Sequence, residues 1–291
     1  MINFKKKLSY LDTKELIEYL SVFDGYQKLD MLTNFETLKE NILENIIKDY
    51  EILKEGYIFT DDIKLQSDIE KFLHRLAVGN RKSYSAYKND ISHYRGKTIY
   101  KILFQNGVLE KELSREKPNF KYNKKRKRAY KGYQIEDKIR FKKSFDRFWF
   151  MFIYPYKKEI EVSNYKNVFE NIEEKLDYFI SLNFEYLSNK LLNTKFDIVE
   201  SGSYWDKFLE FDLFAKTEDG TTYVGECKWT NHKVNGSILN KLKKKCAKAG
   251  FDVDYYVLFS KSGFSNELLK SKDKDLLLFD IEDFEGLFSG R

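Results

Sequence analysis

A chain of 291 residues with 42% hydrophobic content has material for two or three small domains with real cores. Only two prolines are present, which excludes long Pro-rich linkers, and two cysteines, Cys227 and Cys246, exclude a disulfide framework and imply a reducing, cytoplasmic compartment. The net charge of +6 is mildly basic and gains meaning only from where it sits.

Met1 to Lys7 leads into no apolar signal core. The strongest apolar run, Phe148 to Tyr154, is too short to span a bilayer and stops at Pro155, so no membrane partner is expected. Residues 1–62 read as a helical region. Asp12 with Glu15 has the form of a capping box ahead of Leu16, Ile17, Leu20 and Phe23. Thr33 with Glu36 repeats that signal ahead of one long stripe, Leu38, Ile42, Ile46, Tyr50 and Leu53.

Residues 63–144 have the element order of a winged helix. A helix is predicted over Ile63 to Ala77, a short one over Tyr84 to Ile91, and a longer one over Ser92 to Gln105. Asn106-Gly107 stops the last, and Val108 to Leu113 reads as a strand. A basic loop follows, with Lys121, Lys124, Lys125, Arg126, Lys127, Arg128 and Lys131 interleaved with aromatic residues. Such a cluster neutralises a phosphate backbone, so DNA is the expected partner. A solvated loop is the structural alternative. Phe145 to Tyr156 is almost wholly aromatic and is read as core, forming the seam between this region and the next.

Residues 145–291 then run helix, three strands, helix, strand. The long helix is predicted over Val168 to Leu192 and contains Glu185. A strand begins at Phe196, with a bend at Gly202. The pair Phe208 to Ala215 and Thr221 to Trp229 flanks a Gly-containing turn and reads as a hairpin. A three-residue loop, Glu218 to Gly220, faces Thr217 with Thr221 and Asp212 with Glu226, about 5 Å apart at Cβ. A two-residue turn slips the register and separates them. In the convergent register Glu210, Asp212, Glu226 and Lys228 gather, with Leu209, Phe211, Leu213, Cys227 and Trp229 on the core side. Gathered carboxylates call for a cation. Oxygen ligands suit Mg²⁺ or Mn²⁺, with Asp212, Glu226 and Glu210 as ligands. Lys228 is placed to orient water or neutralise developing charge. An amphipathic hairpin with a solvated charged face is the structural alternative. The three histidines, His74, His93 and His232, have no zinc-ligand spacing. Cys246, on a helix predicted over Ser237 to Ala249, is expected on the same side as Cys227. The overall class is α/β (α+β), a mixed sheet flanked by helices.

Asp212 followed by Glu226-Cys227-Lys228 across a hairpin resembles the PD-(D/E)xK nuclease superfamily. The resemblance implies a restriction-endonuclease-like fold, metal-dependent hydrolysis, and catalytic roles for Asp212, Glu226, Lys228 and, from the first helix, Glu185. Phe211 stands where that family has proline. A wider resemblance rests on Gly202-Ser203-Tyr204-Trp205, Glu210-Phe211-Asp212-Leu213, Gly225-Glu226-Cys227-Lys228-Trp229 and Phe148-Trp149-Phe150. These are similar to the uncharacterised carboxy-terminal domain attached to archaeal-type DEXX-box ATPases, where it follows a winged helix. Residues 1–62 then resemble the lid of the ATPase module. No ATP site is expected: Gly96-Lys97-Thr98 mimics the end of a phosphate-binding loop, but Ile91 stands where its first glycine belongs. The expected partners are therefore DNA and either a separate ATPase chain or a second copy. Two functions remain: a metal-dependent nuclease docked by a winged helix, or a catalytically inert DNA-binding or regulatory protein.

Overall fold

The computed structural model describes residues 2–87, 90–115 and 137–289. Its described residues divide into two compact units, residues 3–112 with 137–179, and residues 113–115 with 180–289. Among the described residues no helix is long and apolar enough to cross a membrane.

The first unit is mainly helical. Helix α1 (Thr13–Phe23) begins where expected, with the Asp12–Glu15 box closed in both directions at 2.8 and 2.9 Å. The second predicted box differs. Thr33 lies in a 3₁₀ turn, where its hydroxyl donates to the Asp30 carbonyl. Four residues later Thr37 takes extended backbone angles and caps α2 (Leu38–Ile42), with Glu40 reaching back to its N–H. A cap needs non-helical φ and ψ, and Thr37 is the residue that has them. The stripe expected as one helix continues through a π turn, Leu43–Ile47, and a further α-helical turn, Tyr50–Lys54.

Helix α3 (Ile63–Val78) is capped by Asp62, which accepts from Lys64 and Leu65 N–H. The short helix expected at Tyr84–Ile91 is a single 3₁₀ turn, Ser83–Ala86. The Asn80 carboxamide accepts from the Ser85 hydroxyl and the Lys82 N–H, which favours a tight turn over a helical start. Helix α4 (His93–Gln105) is capped by Ser92. The glycine that imitated a phosphate loop lies inside it: a Cβ on Gly96 would stand 2.5 Å from the Tyr87 ring, so glycine permits close packing there. Strands β1 (Leu109–Glu112) and β2 (Lys138–Phe141) pair antiparallel.

The aromatic run is core, as its composition demands, and its ring contacts with Tyr50, Tyr57 and Phe179 lie inside this unit. Helix α5 (Ser144–Phe148) passes into a π turn, Trp149–Ile153. Trp149 stacks on Tyr50 and Tyr57 at 5.5 and 5.0 Å between centroids, and Phe150 meets Tyr57 edge-on. Offset and edge contacts of this kind add about 0.5–1.5 kcal/mol each beyond area burial.

Helix α6 (Lys166–Lys195) contributes Val168, Ile172 and Phe179 to the first unit, and Ile180, Phe184, Leu187 and Leu191 to the second. The second unit is built on a five-stranded sheet in the order β3 (Ile198–Trp205), β4 (Glu210–Thr217), β5 (Thr222–Lys228), β6 (Tyr255–Ser260), β7 (Leu276–Phe279). The first three strands form an antiparallel meander, and β5, β6 and β7 run parallel. Helix α7 (Gly236–Ala249) makes the β5–β6 crossover, since parallel neighbours need one. It ends at Gly250, whose φ of 72° is the left-handed C-terminal cap.

Helices cover both faces. On one, α7 packs Leu239, Leu242 and Cys246 against Val224, Leu258, Phe211 and Phe214. On the other, Phe184 of α6 meets Trp229, and Ser188 stands beside Cys227. The two cysteines therefore lie on opposite faces of the sheet, not together. Alternation along β5 puts Cys227 opposite Val224, and it is Val224 that shares a core with Cys246.

Candidate active site

The β4–β5 turn has three residues. Thr217 N–H donates to the Thr221 carbonyl at 3.1 Å, and Leu213 faces Gly225. This is the convergent register. The turn is stabilised by Asp219, whose carboxylate accepts from the Thr217 hydroxyl and the Thr221 N–H. Gly220 supplies the required positive φ, 93°.

Beyond Leu213 the ladder opens. On the β3 side, Gly202 faces Phe214 but Tyr204 faces Phe211, so β4 carries one extra residue across Asp212 and Leu213. A bulge of this kind re-aims a side chain and ends pairing. Here it turns the Asp212 carboxylate toward β5, where Oδ2 accepts from the Cys227 N–H at 2.9 Å. The same bulge breaks the two-residue alternation. Phe211 and Phe214, three apart, pack on the same ring of Phe251.

Four charged side chains meet at this opening. Lys228 Nζ lies 2.7 Å from Glu226 Oε1 and 3.8 Å from Asp212 Oδ2. Lys245 Nζ, from α7, lies 3.1 Å from Glu226 Oε2 and 3.4 Å from the Glu210 backbone carbonyl. The side chains of Glu226, Asp212, Lys228 and Lys245 keep 14, 19, 28 and 36% of their exposure, so the cluster is desolvated yet open on one side.

Burial, and then the neighbouring Glu226, push the Asp212 carboxyl up to about 6, against the pull of Lys228. Burial raises Glu226 too, but Lys228 and Lys245 outweigh it and hold this carboxyl below its ordinary range. Burial opposes the charge on Lys228, and Asp212 and Glu226 overcome it, so the ammonium persists above its ordinary range. One acid is thus poised near neutrality beside one that stays ionised. Such separation is common at reactive sites.

The other predicted residues stand as follows. Glu210 is exposed at the start of β4 and reaches the cluster through its backbone carbonyl. Glu185, on α6, acts on the buried Cys227 thiol, which burial pushes far up. Among the described residues no group of three or more His, Cys, Asp and Glu side chains is disposed to hold a metal ion. Among the described contacts, the carboxylates that meet Lys228 and Lys245 at the cluster are Asp212 and Glu226. That set fits Mg²⁺ or Mn²⁺, because Mg²⁺ is commonly held by one or two carboxylates with water completing its shell. Lys121, Lys124, Lys125, Arg126, Lys127, Arg128 and Lys131 lie outside the described residues. In the first unit α4 presents exposed Tyr94, Lys97 and Lys101 along one stripe.

Lys245 was not foreseen from the sequence. Five lysines, Lys241, Lys243, Lys244, Lys245 and Lys248, crowd α7, and only its position beside Leu242 and Cys246 on the buried face marks it out.

Residues 149–245 match the family DUF234, described as "Archaea bacterial proteins of unknown function". The matched stretch covers about a third of the chain. It contains Asp212, Glu226, Lys228 and Lys245, together with the Gly202–Trp205, Glu210–Leu213 and Gly225–Trp229 motifs. The match is consistent with the resemblance to an uncharacterised carboxy-terminal domain family, and it carries no assigned activity. No curated protein and no solved structure matches the chain.

Proposed function

We propose that the chain is a metal-dependent nuclease that hydrolyses DNA phosphodiester bonds. The observation that carries this reading is the convergence of two carboxylates from adjacent strands on one ammonium, within 2.7 and 3.8 Å, at a solvent-open break in the sheet. Asp212 and Glu226 would hold the metal. A bound Mg²⁺ or Mn²⁺ supplies charge neutralisation at phosphorus and a more acidic water. Asp212 is fixed for its role by the Cys227 N–H, so its geometry does not depend on the cation. Glu226 stays ionised because two ammoniums flank it. Lys228 is the group that can turn to the attacking water or to the negative charge that grows on the phosphate. Docking is assigned to the winged-helix region, with α4 against the duplex and the basic stretch Lys121 to Lys131 along the backbone.

One observation favours a second reading, an inert DNA-binding or regulatory protein. The cluster is already neutral, two carboxylates against two ammoniums, and is self-satisfied as it stands. Purified protein with supercoiled plasmid and Mg²⁺ or Mn²⁺ separates the two. The nuclease reading expects metal-dependent nicking that disappears in Asp212→Ala and Lys228→Ala. Salt-sensitive binding without cleavage, weakened only by neutralising Lys124 to Arg128, would replace it with the binder.

A further inference from the structure

Glu226 is a single carboxylate with two ammoniums, and the two are not equivalent. Lys228 shares itself between Glu226 and Asp212. Lys245 serves Glu226 Oε2 and the Glu210 carbonyl, and it stands on α7, whose neighbouring residues Leu242 and Cys246 are almost fully buried. A carboxylate buried to 14% exposure is strongly penalised if its counter-ion leaves. With only Lys228 as partner, Glu226 would hold that lysine in place.

From this geometry, and resting on the nuclease reading above, we propose that Lys245 is a positioning residue: it is the resident counter-ion of Glu226 and releases Lys228 for the reacting phosphate. The division of labour follows from attachment. Lys228 rides on the last residue of β5 at the open end of the sheet, whereas Lys245 is tied to two acceptors from a packed helix. Lys245 itself touches neither substrate nor metal; it acts through Glu226.

The test has two arms. In the first, DNA cleavage by Lys245→Met should fall about 10–100-fold in kcat, with KM for DNA within about 2-fold, and Lys245→Arg should recover most of the loss. A rise in KM at unchanged kcat would mean that Lys245 grips substrate and would overturn the proposal. The second arm needs no activity. Thermal unfolding is measured for Lys228→Met, Lys245→Met and the double variant without metal. Shared service to Glu226 expects small single losses in Tm and a double loss well beyond their sum. Additive losses overturn the proposal whatever the cleavage result. A non-additive double variant in a protein that fails to cut DNA leaves the counter-ion assignment standing and defeats the nuclease reading alone.

Discussion

Each unit holds one aspartate pushed up to about 6, and the two are alike in little else. In the first unit, burial raises the Asp146 carboxyl, and its hydrogen-bond donor is the neutral Tyr57 hydroxyl at 3.0 Å. In the second, burial raises Asp212 as well, but the next influence is a second carboxylate, and an ammonium stands 3.8 Å away. A perturbed acid is thus not by itself a reactive one. Asp146 sits in an aromatic core, next to residues that stack on Trp149 and Phe150. Asp212 sits at a bulge, where the backbone has left the ladder and charged groups from three elements converge.

The largest expected effect breaks this contrast directly. Asp212→Ala should reduce metal-dependent DNA cleavage by about 10³-fold or more, while Asp146→Asn leaves kcat within about 2-fold. Equal losses in a gel-based nicking assay would show that the contrast between the two acids is false. The next effect is in stability. Asp146 titrates at about 6 in the folded protein and near 3.8 unfolded, so its protonated form favours the fold. That contribution is fully present below pH 3.8, falls as pH rises through about 6, and amounts to roughly 2–3 kcal/mol. Asp146→Asn should flatten the stability profile between pH 4 and 7, and gain about 1–2 kcal/mol at pH 8 in denaturant unfolding. A profile as steep as that of the parent protein would place the titration elsewhere.

Sequence order conveyed more of the second unit than of the first. The hairpin register follows from turn length; the sequence leaves two lengths open, and convergence of the charged groups favours the three-residue turn that Asp219 holds through Thr217 and Thr221. Asp212, Glu226 and Lys228 came with it. Lys245 did not, because which of five helical lysines faces a strand is decided by how Leu242 and Cys246 pack on Phe211, Val224 and Leu258, strand residues distant in sequence. Glu210 is expected with the carboxylates by alternation, and in the structure it is exposed and its backbone carbonyl accepts from Lys245. In the first unit the apolar stripes were legible, but the π turns that interrupt them at Leu43–Ile47 and Trp149–Ile153 leave the same apolar pattern. The Thr33 and Thr37 boxes also look alike on paper, and backbone angles chose between them. Thr37→Ala should cost about 1 kcal/mol in unfolding experiments, and Thr33→Ala less than about 0.5 kcal/mol.

The smallest effect sharpens the comparison at the Asp146 side chain itself. The Tyr57 hydroxyl donates to Asp146 Oδ1 and opposes the upward push of burial. Tyr57→Phe removes this donor and keeps the ring that packs against Trp149 and Phe150. The Asp146 midpoint should then rise further, by about half a unit to one unit, with a loss of about 1 kcal/mol at pH 8 and less at pH 4. Carboxyl NMR titration reads the midpoint directly. The Asp212 midpoint has no phenol to lose, and should instead respond to Lys228→Met, which removes the ammonium that pulls it down. If Tyr57→Phe leaves the Asp146 midpoint in place, the phenol is packing and nothing more. The first-unit acid would then owe its position to burial and nearby charge alone.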